Sequence, residues 1–286
     1  MEKIAIISDV NAGLDYLSWD PEIPVLRSII NFEHEHLIDG IDIRAEEFYR
    51  RLQQDSFIPS TSAPTVGEAM ELLEKLVTEG YTDVIMYSIS YQLSSIGQML
   101  ETLREDFEGR LNIHVIDTKT AGYMQGYLAV TAKTMAKAGN SVSEIMDRSH
   151  HLINHGHAYF VVDDLNYLVK NGRISGAAGF LGGLMRIKPV LEINKIGQIV
   201  SFEKVRTHHG AVERIKQLVL EEVADSKHLI VFIFHTVREQ DAIGLSQELN
   251  ELIKTKKTIE IHVITPAVGA HIGCGILGIG YYKLDK

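Results

Sequence analysis

The 286-residue chain carries 28 lysines and arginines against 38 aspartates and glutamates, a formal charge of −10, with 45% apolar and 23% charged residues. That balance fits two ordinary globular domains, and it excludes a nucleic-acid or polybasic membrane binder, whose affinity rests on clustered cations. A single cysteine, Cys274, excludes an intramolecular disulfide and agrees with a reducing compartment.

The chain opens on Met1-Glu2-Lys3 and passes at once into an apolar run, residues 4–7, that ends at Asp9. This run is too short for a signal segment, and the strongest apolar stretches, 177–185 and 229–234, fall short of a membrane span. The expectation is a cytoplasmic protein without stable membrane insertion. Residues 4–7 read as a buried strand and 23–30 as a second one. Residues 46–53 have helical spacing, with Phe48, Tyr49 and Leu52 on the apolar face. Residues 66–79 form a helix in which Met70, Leu73 and Val77 recur, opened by a Thr65/Glu68 capping box and closed by Gly80. A strand at 83–89, a helix at 94–104, a strand at 113–116 and helices at 126–138 and 142–154 follow. Alternation of strand and helix implies a largely parallel sheet covered on both faces.

The second half changes character. A strand at 158–162 and a short helix at 165–170 lead into a glycine- and alanine-rich segment, 171–183. Residues 187–193 and 199–205 read as a hairpin turning about 195–198, with Gly197 in the turn. Then come a helix at 211–223, a buried strand at 229–234, a helix at 240–253 and strands at 260–264 and 276–284. The boundary falls near residues 155–157. The fold class is therefore α/β, with two α/β domains, 1–156 and 157–286, packed together without a low-complexity linker.

Gly273-x-Gly275-x-x-Gly278 matches a glycine fingerprint for dinucleotides. Dinucleotide binding needs a helix after the glycines and an acidic residue downstream, whereas only a short strand-like tail follows here. There is no P-loop and no nucleophile elbow. The 13 histidines include His34-x-His36, His150-His151, His155-x-His157 and His208-His209, none in a zinc pattern. The expectation is no metal and no cofactor.

Three hydroxyl-bearing segments remain: 60–64 before a helix, 88–95 after a strand, and 117–120 after another. In a parallel α/β sheet, ligands bind beyond the carboxyl ends of strands, where helix N-termini offer free N–H groups to a carboxylate or phosphate. Taken singly, each Ser or Thr is more simply a helix N-cap.

The ordered set of motifs resembles the DegV family. The carrying residues are Thr61-Ser62-Ala63-Pro64, Leu93-Ser94, residues 116–122, and residues 160–168 running into Asn171-Gly172-Arg173-Ile174-Ser175. The set continues through Leu184, residues 187–191, Gly197, Lys204-Val205-Arg206 and the closing loop 269–275. The resemblance covers essentially the whole chain. It implies a DegV-like pair of α/β domains with an apolar ligand tunnel at and near their junction, holding one long-chain fatty acid. It further implies that the protein is the lipid-presenting, non-ATP-binding subunit of a bacterial fatty acid kinase. The ATP-binding subunit of that kinase would phosphorylate the bound carboxyl group to an acyl phosphate. By the same resemblance Thr61, Ser62, Ser94 and His271 would hold the carboxyl group, and Arg173, with His271, would serve the partner or the transferred phosphate. Residues 179–185, apolar and rich in small side chains, would suit a tunnel wall as well as ordinary core.

The chain departs from the family pattern at three places. Leu-Ser-Gly-Thr-Tyr is replaced by Leu93-Ser94-Ser95-Ile96-Gly97, Asp-Ser by Asp9-Val10, and His-Thr-Gly-Pro-Gly by His271-Ile272-Gly273-Cys274-Gly275. Two other readings stand beside fatty-acid binding. One is a small-molecule transferase or hydrolase with Ser94 as nucleophile and His271 as base. The other is a degenerate family member, with its tunnel collapsed, acting only as an interaction module.

Overall fold

The computed structural model describes residues 3–54, 57–176 and 188–285. β1 (Ile4–Asp9) pairs in parallel with β2 (Val25–Leu26) on one side. The strand expected at 23–30 is two strands. The chain leaves the first sheet at Arg27, whose guanidinium donates to Asp15 at 2.7 Å and to the Asp39 carbonyl at 2.9 Å. It then enters a small antiparallel sheet as β3 (Ile29–Asn31), flanked by β4 (His36–Ile38) and β5 (Ser60–Ser62). Between them, α1 (Ala45–Gln54) buries Phe48, Tyr49 and Leu52, the face expected from spacing.

α2 (Val66–Thr78) starts at the expected capping box: Thr65 Oγ1 accepts the Glu68 N–H, and the Glu68 carboxylate accepts the Thr65 N–H at 2.7 Å. β6 (Asp83–Ser88) pairs with β1, α3 (Ile96–Thr102) follows, and β7 (Asn112–Asp117) completes a parallel sheet of order β2-β1-β6-β7. β1 alternates between two cores. Ala5 and Ile7 meet α2 and α3, and Ile6 faces α4 (Tyr123–Lys137) and α5 (Val142–Asn154). A sheet covered on both faces is buried on both, as the near-continuous burial of β1 and β6 shows.

The second half forms a six-stranded mixed sheet. β8 (Gly156–Val161) leads to α6 (Asn166–Lys170), and β9 (Lys188–Ile193) and β10 (Ile199–Val205) make the expected hairpin. α7 (His208–Val223), β11 (His228–His235), α8 (Glu239–Leu252), β12 (Lys256–Val263), α9 (Pro266–Ile272) and β13 (Leu277–Lys283) complete it, in the order β10-β9-β8-β13-β11-β12. α7 and α8 cover the outer face. The inner face packs on α4 through Ala158, Ile230, Phe232 and Tyr282, so one helix layer joins the two sheets in a single core. The expected boundary at residue 156 falls on the first residue of β8.

The glycine fingerprint has a packing role. A Cβ at Gly278 would lie 2.8 Å from Phe160 Cβ, and one at Gly280 2.4 Å from Met124 Sδ, so the bare face of β13 admits side chains from its neighbours. Residues 269–272 of the expected closing loop belong to α9. It is a helix capped by Thr265 with Pro266 in its first turn. Gly269 lets α1 approach it, since a Cβ there would sit 2.4 Å from the Tyr49 hydroxyl. Among the described residues, no helix is long and apolar enough to cross a membrane.

Gly126 lies inside α4, where alanine would ordinarily gain about 1 kcal/mol of helix propensity. Its Cβ would stand 2.4 Å from the Ala12 carbonyl oxygen, a backbone atom with little room to yield. Overpacking of this kind costs about 1–3 kcal/mol. Gly126→Ala is therefore expected to lower stability by up to about 2 kcal/mol, read as a shift of the urea midpoint. A stabilised variant would refute the close contact.

Candidate functional site

The carboxyl ends of β6 and β7 face the inner side of the second sheet across a cavity of about 290 Å³. Small and apolar side chains line most of it: Ile89 and Leu93 after β6, Ala121 and Gly122 after β7, Ala158 and Phe160 on β8, and Phe234 on β11. Ile193 and Ile199 contribute from the hairpin. The hairpin tip is fastened to the first half. Ser90 Oγ donates to the Gly197 carbonyl at 2.8 Å, and Gln198 Nε2 donates to Gln92 at 3.1 Å. Gly197 has φ +86, and a Cβ there would meet Ser90 Oγ at 2.1 Å, so both its conformation and its contact require glycine.

One end of the cavity is polar. His271, in the last turn of α9, shares a hydrogen bond at 2.8 Å between Nε2 and Thr61 Oγ1. Its Nδ1 is buried and has no partner among the described residues. Burial, reinforced by the positive charge of Arg173, pulls the imidazole down to about 4. Arg173 also lines the cavity. Its guanidinium donates to the Leu93 carbonyl at 3.3 Å and the Asn171 carbonyl at 2.5 Å, and it has no ion pair among the described residues. Asn171 Nδ2 donates to the Ala270 carbonyl at 3.1 Å, tying this segment to α9. Ser94 lines the cavity too. Its N–H donates to the Ser90 carbonyl, and its hydroxyl has no partner among the described residues.

The structure thus brings Thr61, Ser94, Arg173 and His271 around one cavity and leaves Ser62 outside it. β5 is a strand, so consecutive side chains point to opposite faces. Thr61 turns inward, while Ser62 is exposed and its hydroxyl accepts from Asn31 Nδ2 at 2.9 Å. Neither residue caps a helix. Ser94 likewise precedes α3 by two residues and makes no cap. The changed loop is built around Gly97, where a Cβ would lie 2.5 Å from the Tyr91 ring and 2.6 Å from Ser88 Oγ. Residues 179–185, the wall expected from the sequence, lie outside the described residues.

Two buried carboxylates organise the lining and were not singled out from the sequence. Asp9 accepts from the Asn11 N–H at 3.0 Å, Asn11 Nδ2 at 2.7 Å and the Ile89 N–H at 2.9 Å, holding two lining residues in place. Burial raises its pKa above the usual carboxylate range, against these bonds. Asp39 Oδ2 accepts the Ala267 N–H at 2.7 Å, and burial pushes this carboxyl up to about 7. The signal for Asp9 was present, as an aspartate closing a buried apolar run. Asp39 gave none. A serine nucleophile with a histidine base needs those two side chains bonded to each other and a third group orienting the base. Here His271 bonds Thr61 instead, and its other nitrogen lacks an orienting partner among the described residues. The interaction-module reading expected a collapsed tunnel, whereas this cavity is open.

Fold and site together define a mixed α/β protein with an apolar chamber between two sheets, closed at one end by imidazole, hydroxyl and guanidinium. The chain belongs to the DegV family: the model described as "Uncharacterised protein, DegV family" matches residues 3–284. A DegV domain-containing protein of Staphylococcus aureus is 33% identical over 284 residues, covering 98% of this chain and 97% of the relative. The crystal structure of a fatty acid binding DegV family protein from Streptococcus agalactiae superposes with a TM-score of 0.90 at 30% identity, covering 100% of both chains. That of DegV, a fatty acid binding protein from Bacillus subtilis, gives a TM-score of 0.88 at 26% identity over 99% of this chain and 100% of that one.

His271 should stay neutral from pH 8 down to pH 5 in ligand-stripped protein. Its folded value of about 4 lies below the ordinary 6.5, so between them the unfolded chain binds more protons. The stability linked to this group is present above pH ~6.5 and is lost as pH falls through the folded value, a change of about 3 kcal/mol. The ring-proton NMR resonance of His271, assigned with His271→Gln, should be flat over that range. A midpoint near 6.5 would show that the ring is not buried as described.

Proposed function

We propose that the chamber holds one long-chain fatty acid, with its carboxylate at Thr61, Ser94 and His271 and its acyl chain along the apolar lining. The observation that carries this reading is a guanidinium with no ion pair among the described residues, beside a neutral imidazole whose Nδ1 has no partner among them, at one end of an otherwise apolar cavity. Each buried methylene contributes about 0.8 kcal/mol, so some fifteen carbons offer on the order of 12 kcal/mol before immobilisation is subtracted. A carboxylate at the closed end must be hydrogen-bonded, since an unpaired buried charge is too costly. The hydroxyls of Thr61 and Ser94 supply donors, and Arg173 supplies compensating charge. Ser62 has no part in this arrangement. The fatty acid binding of the S. agalactiae and B. subtilis relatives supports the same assignment.

On this reading the protein presents its acid to an ATP-binding kinase subunit, which phosphorylates the carboxyl group to an acyl phosphate. Arg173 is part-buried at the same polar end, where a transferring phosphoryl group would meet it. The protein would then act as the lipid-carrying member of the pair, with the chemistry of ATP left to the partner.

Organic extraction of purified protein followed by mass spectrometry should release about one fatty acid per chain. Protein that is always empty and takes up no added fatty acid would defeat the proposal. Thr61→Val and Ser94→Ala should each weaken binding about tenfold, the worth of one hydrogen bond to a charged group. Arg173→Ala should weaken fatty-acid binding about tenfold and, at saturating fatty acid, lose most acyl phosphate formation with a fatty acid kinase ATP-binding subunit and ATP. Unchanged turnover would remove Arg173 from the transfer step.

A further inference from the structure

A second cavity, also about 290 Å³, lies against the first. Ala158 on β8 and Ile193 on β9, cross-strand partners, line both. Beyond that shared wall the chemistry reverses. Lys119, from the loop after β7, and Lys195, from the hairpin turn, line the second cavity together with Asn154 and Asn194. No aspartate or glutamate is among its described lining residues, in a chain that carries 38 of them.

The basic groups there differ in one respect. His157 is already engaged, with Nε2 2.8 Å from Glu192 Oε2. Lys119 and Lys195 have no ion pair among the described residues, whereas lysines at positions 137, 188, 216 and 283 all do. Both are brought to the cavity by fixed backbone. Lys119 has φ +52, in the left-handed region, and is held there by its N–H donating to Asp117 Oδ1 at 3.0 Å. A non-glycine residue in that region costs about 1–3 kcal/mol and persists where the surroundings enforce it. The hairpin turn rests on it, because a Cβ at Gly197 would stand 3.1 Å from Lys119 Cα. Asn194 Oδ1 accepts from the Ile196 and Gln198 N–H groups at 3.1 and 3.0 Å, which fixes the amide with its NH₂ free to donate. Two lysines and two asparagines, with no aspartate or glutamate among the described lining residues, offer ammonium and amide donors to an anion.

We propose that this second cavity binds the oxyanion group of a small polar molecule, a phosphate or a carboxylate, between Lys119 and Lys195. The assignment is independent of what the first cavity holds. Such a ligand would join the loop after β7 to the hairpin turn, two segments from opposite halves of the chain.

The test is a ¹⁵N NMR titration of the full chain with inorganic phosphate and, separately, with citrate, each against sodium chloride at matched ionic strength. Saturable shifts confined to residues 118–120, 154–158 and 193–195 are expected. Phosphate alone would assign a phosphate ester, citrate alone a carboxylate, and both an undiscriminating oxyanion site. The double variant Lys119→Ala, Lys195→Ala should bind at least tenfold more weakly with an unchanged melting temperature, both lysines being exposed. Shifts no different from those in chloride, or equal affinity in the double variant, would overturn the proposal.

Discussion

Asp39 Oδ2 accepts the Ala267 N–H at 2.7 Å, and the placement of α9 depends on it. A seven-residue helix is far too short to be stable by itself in water, so α9 exists only where other elements hold it. Asp39 meets the positive end of the helix, where an anion is favoured. Its other oxygen has no partner among the described residues, and the carboxyl is correspondingly hard to ionise. Tyr49 donates to the Ile264 carbonyl at 2.9 Å just before the helix, and Asn171 reaches the Ala270 carbonyl near its end. The result is one rigid segment that carries Ala267, Val268, His271 and Ile272 into the wall of the cavity.

Close-packed interiors leave few voids larger than a water molecule, so a chamber this size has to be maintained by its frame. Two devices do so here. Small residues, Ala121, Gly122 and Ala158, stand where larger side chains would fill the space. The hairpin tip is locked onto the loop after β6 by the Ser90–Gly197 bond, which sets the distance between the halves. Met124 and the aromatics Phe160 and Phe234 pack instead over the glycine face of β13. Space removed from one place on the seam is thus taken up at another, and the chamber stays open without loosening the common core around α4.

Long, locally encoded elements were legible in the sequence. The helix at 142–154 ends and begins where expected, because Ser141 and Glu144 form a capping box and the apolar spacing continues from it. The hairpin was marked by Gly197, and α2 by Thr65 and Glu68. What escaped were short pieces held by distant contacts. β2 and β3 were read as one strand because nothing local shows that Arg27 pairs with Asp15. α9 reads locally as part of the closing loop because Gly273 and Gly275 just beyond it and Gly269 within it invite that reading, although Thr265-Pro266 is a helix start. The resemblance groups Ser62 with Thr61, and nothing local shows that the two sit on opposite faces of a strand. Arg173 reads locally as a surface arginine among glycines, and only the assembled cavity shows its charge facing a buried imidazole. Asp39 lies 228 residues from the amide it holds.

If the chamber holds a carboxylate, as proposed, the hydrogen bond between Thr61 and His271 governs how a neutral imidazole can serve it. If Nε2 were the unprotonated nitrogen, the Thr61 hydroxyl would donate to it and have no proton left for a ligand. If Nε2 carries the proton, it donates to Thr61 Oγ1, and the threonine proton is free to point into the cavity. The second tautomer leaves Nδ1, which has no partner among the described residues, as a bare acceptor. A carboxylate at this end selects that tautomer, because it gains a donor from Thr61 without requiring the ring to take a second proton. The charge needed to balance it resides on Arg173, which cannot be deprotonated in a protein. A histidine held near 4 is then suited to the site: it relays a donor through Thr61, while its own neutrality avoids adding a second buried cation beside the guanidinium.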